Sequence, residues 1–155
     1  LELEGIDGGS ADSRHPGSIE VSSFSWGATN MGAHGTGGGG GSGKVSFQDI
    51  SFMGKVSKAS PKLMLAVATG KHIPKATLFV RKSGGDQQEY YKVTLSDVMV
   101  TSYQSTGGGS GGDVPVDSFS LNFTKIEFDY KPQNADGSLD SAVHGGWDLG
   151  KNKGI

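Results

Sequence analysis

Apolar and polar residues alternate with a period of two over most of the chain, which predicts strands rather than helices. The segments are Leu1–Ile6, Ser18–Trp26, Lys44–Met53, Lys75–Lys82, Glu89–Tyr103, Val116–Lys131 and a weaker one over Val143–Leu149, bounded mostly by Gly or Asp/Asn clusters. Lys75 to Lys82 alternates cleanly, with Ala76, Leu78 and Val80 on one face. Ser83-Gly84-Gly85-Asp86 then reverses the chain into Glu89–Leu95, as a hairpin requires. One helix interrupts the series over 60–69. Ser60 suits its N-cap, Pro61 its first turn and Gly70 its C-terminal stop. Its run Leu63-Met64-Leu65-Ala66-Val67-Ala68 is apolar nearly all round, so the pattern predicts cover on several sides, by the domain itself or, as the alternative, by a subunit contact.

The longer strands share a second property: their apolar phase flips midway. Ile19 and Val21 are followed by Phe24 and Trp26, and Val45 and Phe47 by Ile50 and Phe52. Tyr91, Val93 and Leu95 give way to Val98 and Val100 across Ser96-Asp97. Phe119, Leu121 and Phe123 give way to Ile126, Phe128 and Tyr130 across Thr124-Lys125. One flip in an unbroken strand moves the apolar set to the other face, unless a bulge absorbs the extra residue. Repeated flips predict strands that turn corners in a compact β-barrel or two-sheet sandwich with one short helix. A hairpin turn at Ser96-Asp97 is an alternative there, and burial of both faces in an oligomer is another.

Composition narrows the function. The chain has 155 residues and a formal net charge of −2, with no stripe of basic residues to follow a phosphate backbone. Nucleic acid is therefore not an expected partner. No apolar run approaches the ~18 residues of a membrane-spanning helix. The 27 glycines concentrate in tracts outside the periodic segments, and there is no cysteine to form disulfides.

Motifs that look chemical lack the context that chemistry needs. Gly38 to Lys44 resembles a phosphate-binding loop, but Val45 stands where Ser or Thr should follow, and a strand pattern comes next instead of a helix. Gly108-Gly109-Ser110-Gly111-Gly112 fits a nucleophile elbow only by glycine abundance. His15, His34, His72 and His144 are scattered without metal-ligand spacing. Asn134 to Asp140 is an Asp-Gly turn rather than a calcium loop, because it lacks the terminal Glu. No catalytic residue, metal or cofactor is expected, and the chain does not read as an enzyme. A secreted β-sandwich binding module is the alternative to the reading below; it would need a row of exposed aromatics, which Tyr90, Tyr103 and Trp147 do not evidently form.

The strongest signal is a set of motifs in order along the chain. They are Phe24-Ser25-Trp26-Gly27, the glycine tract 37–43, Lys44-Val45 with Gln48-Asp49 and Ser51-Phe52, and Ser60-Pro61 with Leu63-Met64. Gly70-Lys71-His72, Arg81-Lys82 with Gly84-Gly85, Glu89-Tyr90 and Leu95 to Ser102 follow. Leu121-Asn122-Phe123, Asp129-Tyr130 with Pro132-Gln133, and Gly146-Trp147 close the series. Together these resemble the Hcp family of type VI secretion tube proteins. The resemblance implies a barrel similar to phage tail-tube proteins, forming one tube domain over 1–155 with no toxin domain after it. It further implies six-membered rings that stack into a tube, hold effector proteins in the hole, meet a contractile sheath and spike, and are secreted from the bacterial cytoplasm without a cleaved signal peptide. Ser25, Trp26 and Ser110 match positions expected to face the lumen. The long loop carrying Asn30, Met31, His34, Gly37, Gly40 and Gly43 is expected to reach a neighbouring subunit or ring.

Overall fold

A computed structural model describes residues 1–30, 32, 44–84 and 86–155. In chain order its elements are β1 (Glu2–Leu3), β2 (Ser23–Ser25), β3 (Ala28–Asn30), β4 (Val45–Phe47), β5 (Ile50–Lys55), α1 (Ser60–Thr69), β6 (His72–Arg81), β7 (Glu89–Thr106), β8 (Val116–Asn122), β9 (Lys125–Tyr130), β10 (Val143–Asp148) and β11 (Lys153–Gly154). One large antiparallel sheet runs β11-β10-β9-β7-β8-β5-β2, with β6 joined to β7 and β1, while β3 and β4 form a separate pair.

β7 organises the fold. One edge pairs with β6 from His72↔Met99 to Arg81↔Glu89. The other pairs with β9 over Tyr91–Ser96 and with β8 over Met99–Thr106. Between those two stretches the Thr124 amide donates to the Ser96 carbonyl at 3.1 Å, so β8 and β9 follow β7 as one bent line. The Ile19 amide donates to the Leu1 carbonyl at 2.7 Å and brings β1 against the segment leading to β2. The sheet thereby curls into the expected compact barrel around Ile50, Phe52, Leu63, Ile73, Val93, Leu95, Val98, Phe119 and Leu121.

Each phase flip has a local cause. The first breaks the strand before Ser23, so only Ser23–Ser25 of the expected 18–26 strand is paired. The second, at Gln48-Asp49, separates β4 from β5. The fourth, at Phe123-Thr124, separates β8 from β9. The third lies inside the continuous β7, where Asp97 adopts φ 50 and lets Leu95 and Val98 both turn inward. No hairpin turn exists at Ser96-Asp97. The N-terminal strand is also shorter than expected, because Gly5 at φ 85 turns the chain so that Ile6 N–H donates to Leu3 O at 3.0 Å. The weak C-terminal segment is a full partner of β9.

The helix has the expected bounds and a different start. Ala59 occupies the N-cap without a side-chain bond, and Ser60, already helical, donates through Oγ to the Asp117 carboxylate. Gly70 ends it at φ 65, with Lys71 N–H donating to Ala66 O at 3.2 Å. Burial on several sides is not what the structure has. Ser60, Leu63 and Ala66 are buried, whereas Met64 and Leu65 are 49% and 48% exposed. A lone ten-residue helix can turn only one face to its own sheet, so the apolar residues beyond that face are left uncovered within the single chain.

Candidate functional site

A row of hydroxyls crosses four strands on the surface. In register, Ser25 of β2 pairs with Ser51 of β5, Ser51 with Ser120 of β8, and Ser120 with Ser102 of β7. The adjoining row is Ser23, Met53, Ser118 and Gln104. Between them runs Phe24, Phe52, Phe119 and Tyr103, whose side chains project to the opposite face because successive strand residues alternate. Phe52 and Phe119 stack there at 5.3 Å, so packing on the inner face fixes where the outer hydroxyls stand.

A register shift between Val100 and Ser102 adds detail to the wall. The extra residue, Thr101, places Oγ1 3.0 Å from Ser120 Oγ, and Ser102 Oγ contacts the same oxygen, so both side chains reach one face. Asp49 accepts from Thr101 Oγ1 at 2.7 Å and from Asn122 Nδ2 at 2.8 Å. These bonds tie the carboxylate down at one end of the face, while Lys55 ends β5 at the other. The middle is uncharged. Short hydroxyls both donate and accept, so such a wall forms exchangeable hydrogen bonds without a strong field.

Each histidine among the described residues is engaged by a carboxylate instead of these serines. His15 Nδ1 lies 2.7 Å from Glu2, His72 Nδ1 2.9 Å from Asp97, and His144 Nδ1 2.7 Å from Asp129. Among the described residues, no cluster of three or more His, Asp or Glu side chains could hold a metal ion. Lys44 leads into strand β4, and the loop carrying Ser110 leads into strand β8. Asp136 is occupied by the Ser138 amide at 3.0 Å and hydroxyl at 2.6 Å. The aromatics form no shared row: Tyr103 donates to Asp117 at 2.7 Å, Tyr90 meets Tyr130 edge-on, and Trp147 lines a recess with Trp26, Phe47 and Phe128. Burial, followed by the Asp117 carboxylate, raises the Tyr103 pKa.

Ser25 stands exposed in the hydroxyl row. Trp26 turns the other way: its Nε1 donates to Tyr91 Oη at 2.8 Å and its ring meets Phe128 edge-on at 5.5 Å. Ser110 lies exposed in the loop between β7 and β8. Asn30 ends β3 opposite Val45, whereas Met31, His34, Gly37, Gly40 and Gly43 fall outside the described residues. Sequence reasoning missed Ser51, Ser102 and Ser120. A signal existed in the repeated Ser-Phe pairs at Ser23-Phe24-Ser25, Ser51-Phe52 and Ser118-Phe119-Ser120, but a repeat identifies a face only once the register is known.

This arrangement has relatives. The family described as "Type VI secretion system effector, Hcp" matches residues 1–130. The chain belongs to the Hcp family. It is 45% identical to protein hcp1 of Pseudomonas aeruginosa over 111 residues, covering 70% of this chain and 68% of that protein. Among solved structures it resembles a type six secretion system protein with a TM-score of 0.92 at 29% identity, covering 99% of this chain and 96% of the other. Hcp1 from Salmonella typhimurium gives a TM-score of 0.78 at 31% identity, covering 99% and 95%. Family membership makes the chain a type VI secretion tube protein, of a structural family of that secretion system. No helix among the described residues is long and apolar enough to cross a membrane.

Proposed function

We propose that this Hcp-family chain is a subunit of the type VI inner tube, closing into six-membered rings whose hole is lined by the hydroxyl row. Ser25 and Ser110 contribute to that lining, and Trp26 supports Ser25 from behind. The observation that carries the reading is the four-stranded wall β2-β5-β8-β7 with both outer edges open. Among the described strands β2 pairs only with β5, and β7 beyond Met99 pairs only with β8. Every pairing within the wall is antiparallel, so β2 of a second copy set beside the open part of β7 would continue the alternation. Two different edges meeting head to tail generate a closed ring or a filament. Backbone hydrogen bonds along the edges supply the contact.

On this reading the rings stack, with the loop from Asn30 to Gly43 reaching a neighbouring subunit or ring. The tube holds effector proteins against an uncharged, hydroxyl-rich surface that grips weakly enough to release them. It meets sheath and spike proteins outside and is itself secreted. Sedimentation of the purified chain, followed by negative-stain imaging of the main species, tests the proposal. Six-subunit rings with an open centre are expected. A monomer at every concentration would overturn self-assembly of this chain alone.

A further inference from the structure

Residues 7–17 cross the end of the β6–β7 hairpin as a strap that contributes no side chain to the apolar core. Its near end is held by backbone bonds: Gly8 N–H to Gly17 O at 2.8 Å, Gly17 N–H to Ser10 O at 2.8 Å, and Ser10 N–H to Ser18 O at 3.2 Å. Its far end is held by side chains. Arg81 donates to both Asp12 oxygens, at 3.2 and 2.5 Å, and Arg14 donates to Gln87 O at 3.1 Å. His15 stacks on Phe79 at 4.2 Å between centroids, with Nδ1 2.7 Å from Glu2 Oε1 and Nε2 against the Glu89 carboxylate. Beside the strap, Leu78–Arg81 of β6 pairs with β7 alone, and its other side borders a recess shared with Val21–Phe24. Among the described residues no strand pairs with that side, and Ser10, Asp12 and His15 of the strap border an adjoining recess with Val21, Phe79 and Arg81.

We propose that His15 is a proton-dependent latch: its imidazolium, held between Glu2 and Glu89, keeps residues 7–17 against β6 and β7, and loss of the proton loosens them. The charged ring carries N–H on both nitrogens and donates to both carboxylates. The neutral ring has one N–H, so one carboxylate then faces a lone pair. Of the other charges nearby, Asp12, Glu20 and the Leu1 amine border the same recess as His15, Arg81 is engaged by Asp12, Arg14 reaches a carbonyl, and Lys92 sits over Phe79 at 5.7 Å. Burial lowers the Leu1 amine to about 6, so its titration favours the folded chain as pH rises and is opposite in sign to the loss expected from His15.

Partial burial opposes the charged ring, but the Glu89 and Glu2 carboxylates outweigh it and raise the His15 pKa above its ordinary 6.5. The holding contribution is therefore fully present below pH 6.5 and is lost as pH rises through the raised value. Asp12–Arg81 does not titrate in that window, so the release is a loosening about that anchor and leaves the barrel folded.

Hydrogen exchange on the full chain at about pH 5.5 and about pH 8.5, corrected for intrinsic base catalysis, tests the latch. In the unaltered chain, protection of the segment 7–18 should fall roughly tenfold between the two, while β7 and β8 keep theirs. His15→Gln should show the low protection at both pH values. Equal protection at both pH values, or a pH response that persists in His15→Gln, would overturn the proposal. Should His15→Gln fail to fold, Glu89→Gln must shift the midpoint downward, and an unshifted midpoint would overturn it equally. The outcome is independent of ring formation, because every contact lies within one chain.

Discussion

Ser60 and Tyr103, from the helix start and from β7, both donate their hydroxyls to the same buried carboxylate, Asp117 of β8. Asp117 is 3% exposed, so its two oxygens rely on these bonds in place of water. Removing one donor differs from removing the acceptor. Tyr103→Phe leaves the second hydroxyl in place and should cost about 1 kcal/mol in urea unfolding, the net worth of one hydrogen bond. Asp117→Ala strands two hydroxyls and should cost about 2–4 kcal/mol. A loss below about 0.5 kcal/mol for Asp117→Ala would mean that this junction does not hold the helix to the barrel.

Asp97 shows how much of the fold could be read in advance. The phase flip between Leu95 and Val98 was visible as a pattern, and so was the need for a local irregularity. Whether that irregularity was a turn or a kink inside a strand depended on pairing with β6, which the local sequence does not encode. There, Ile73↔Val98 and Lys75↔Ser96 pair on either side of Pro74, which has no amide to donate, and Asp97 takes φ 50. The helix was legible from Pro61 and Gly70, but its cover was not, because apolar content cannot reveal how many neighbours are present. The hydroxyl wall was hidden for a related reason: Ser25 was marked, while Ser51, Ser120 and Ser102 acquire meaning only through cross-strand register.

The same position gives a stability test. Left-handed backbone costs an ordinary residue about 1–2 kcal/mol, and most for a β-branched side chain. Asp97→Val should therefore destabilise the chain by at least that amount in urea unfolding. Asp97→Gly gives up the exposed contact with His72 but relieves the backbone, so it should stay within about 1 kcal/mol of the unaltered chain. Equal losses for Val and Gly would show that the side-chain contact, rather than the backbone, governs this site.

Acid should act on the strap from the other direction. The hydrogen bond from Arg81 lowers the Asp12 pKa from its ordinary 3.8 to about 2, aided by the Arg14 and His15 amides. A depressed carboxylate contributes stability above pH 3.8 that is lost as pH falls towards about 2. Asp12→Asn should therefore flatten stability against pH in this acid range and leave the response around the His15 transition intact. If both limbs disappear together, Asp12 and His15 form one coupled unit rather than two separate anchors.

Ser25 offers a direct test of which way the hydroxyl wall faces. A lining residue has open space in front of it, whereas an interface residue has a neighbouring subunit. Its partner in register, Ser51, and the Phe24–Phe52 pair behind it fix the backbone, so a larger side chain can extend only outward. Ser25→Trp should consequently preserve rings in sedimentation and add a band of density inside the hole in image averages. Ser110→Trp, in the exposed β7–β8 loop, should likewise preserve rings and place its density nearer one rim. If Ser25→Trp instead yields folded monomers, the wall is buried between subunits, because overpacking a tight contact costs about 1–3 kcal/mol per copy and the ring repeats that cost at every joint.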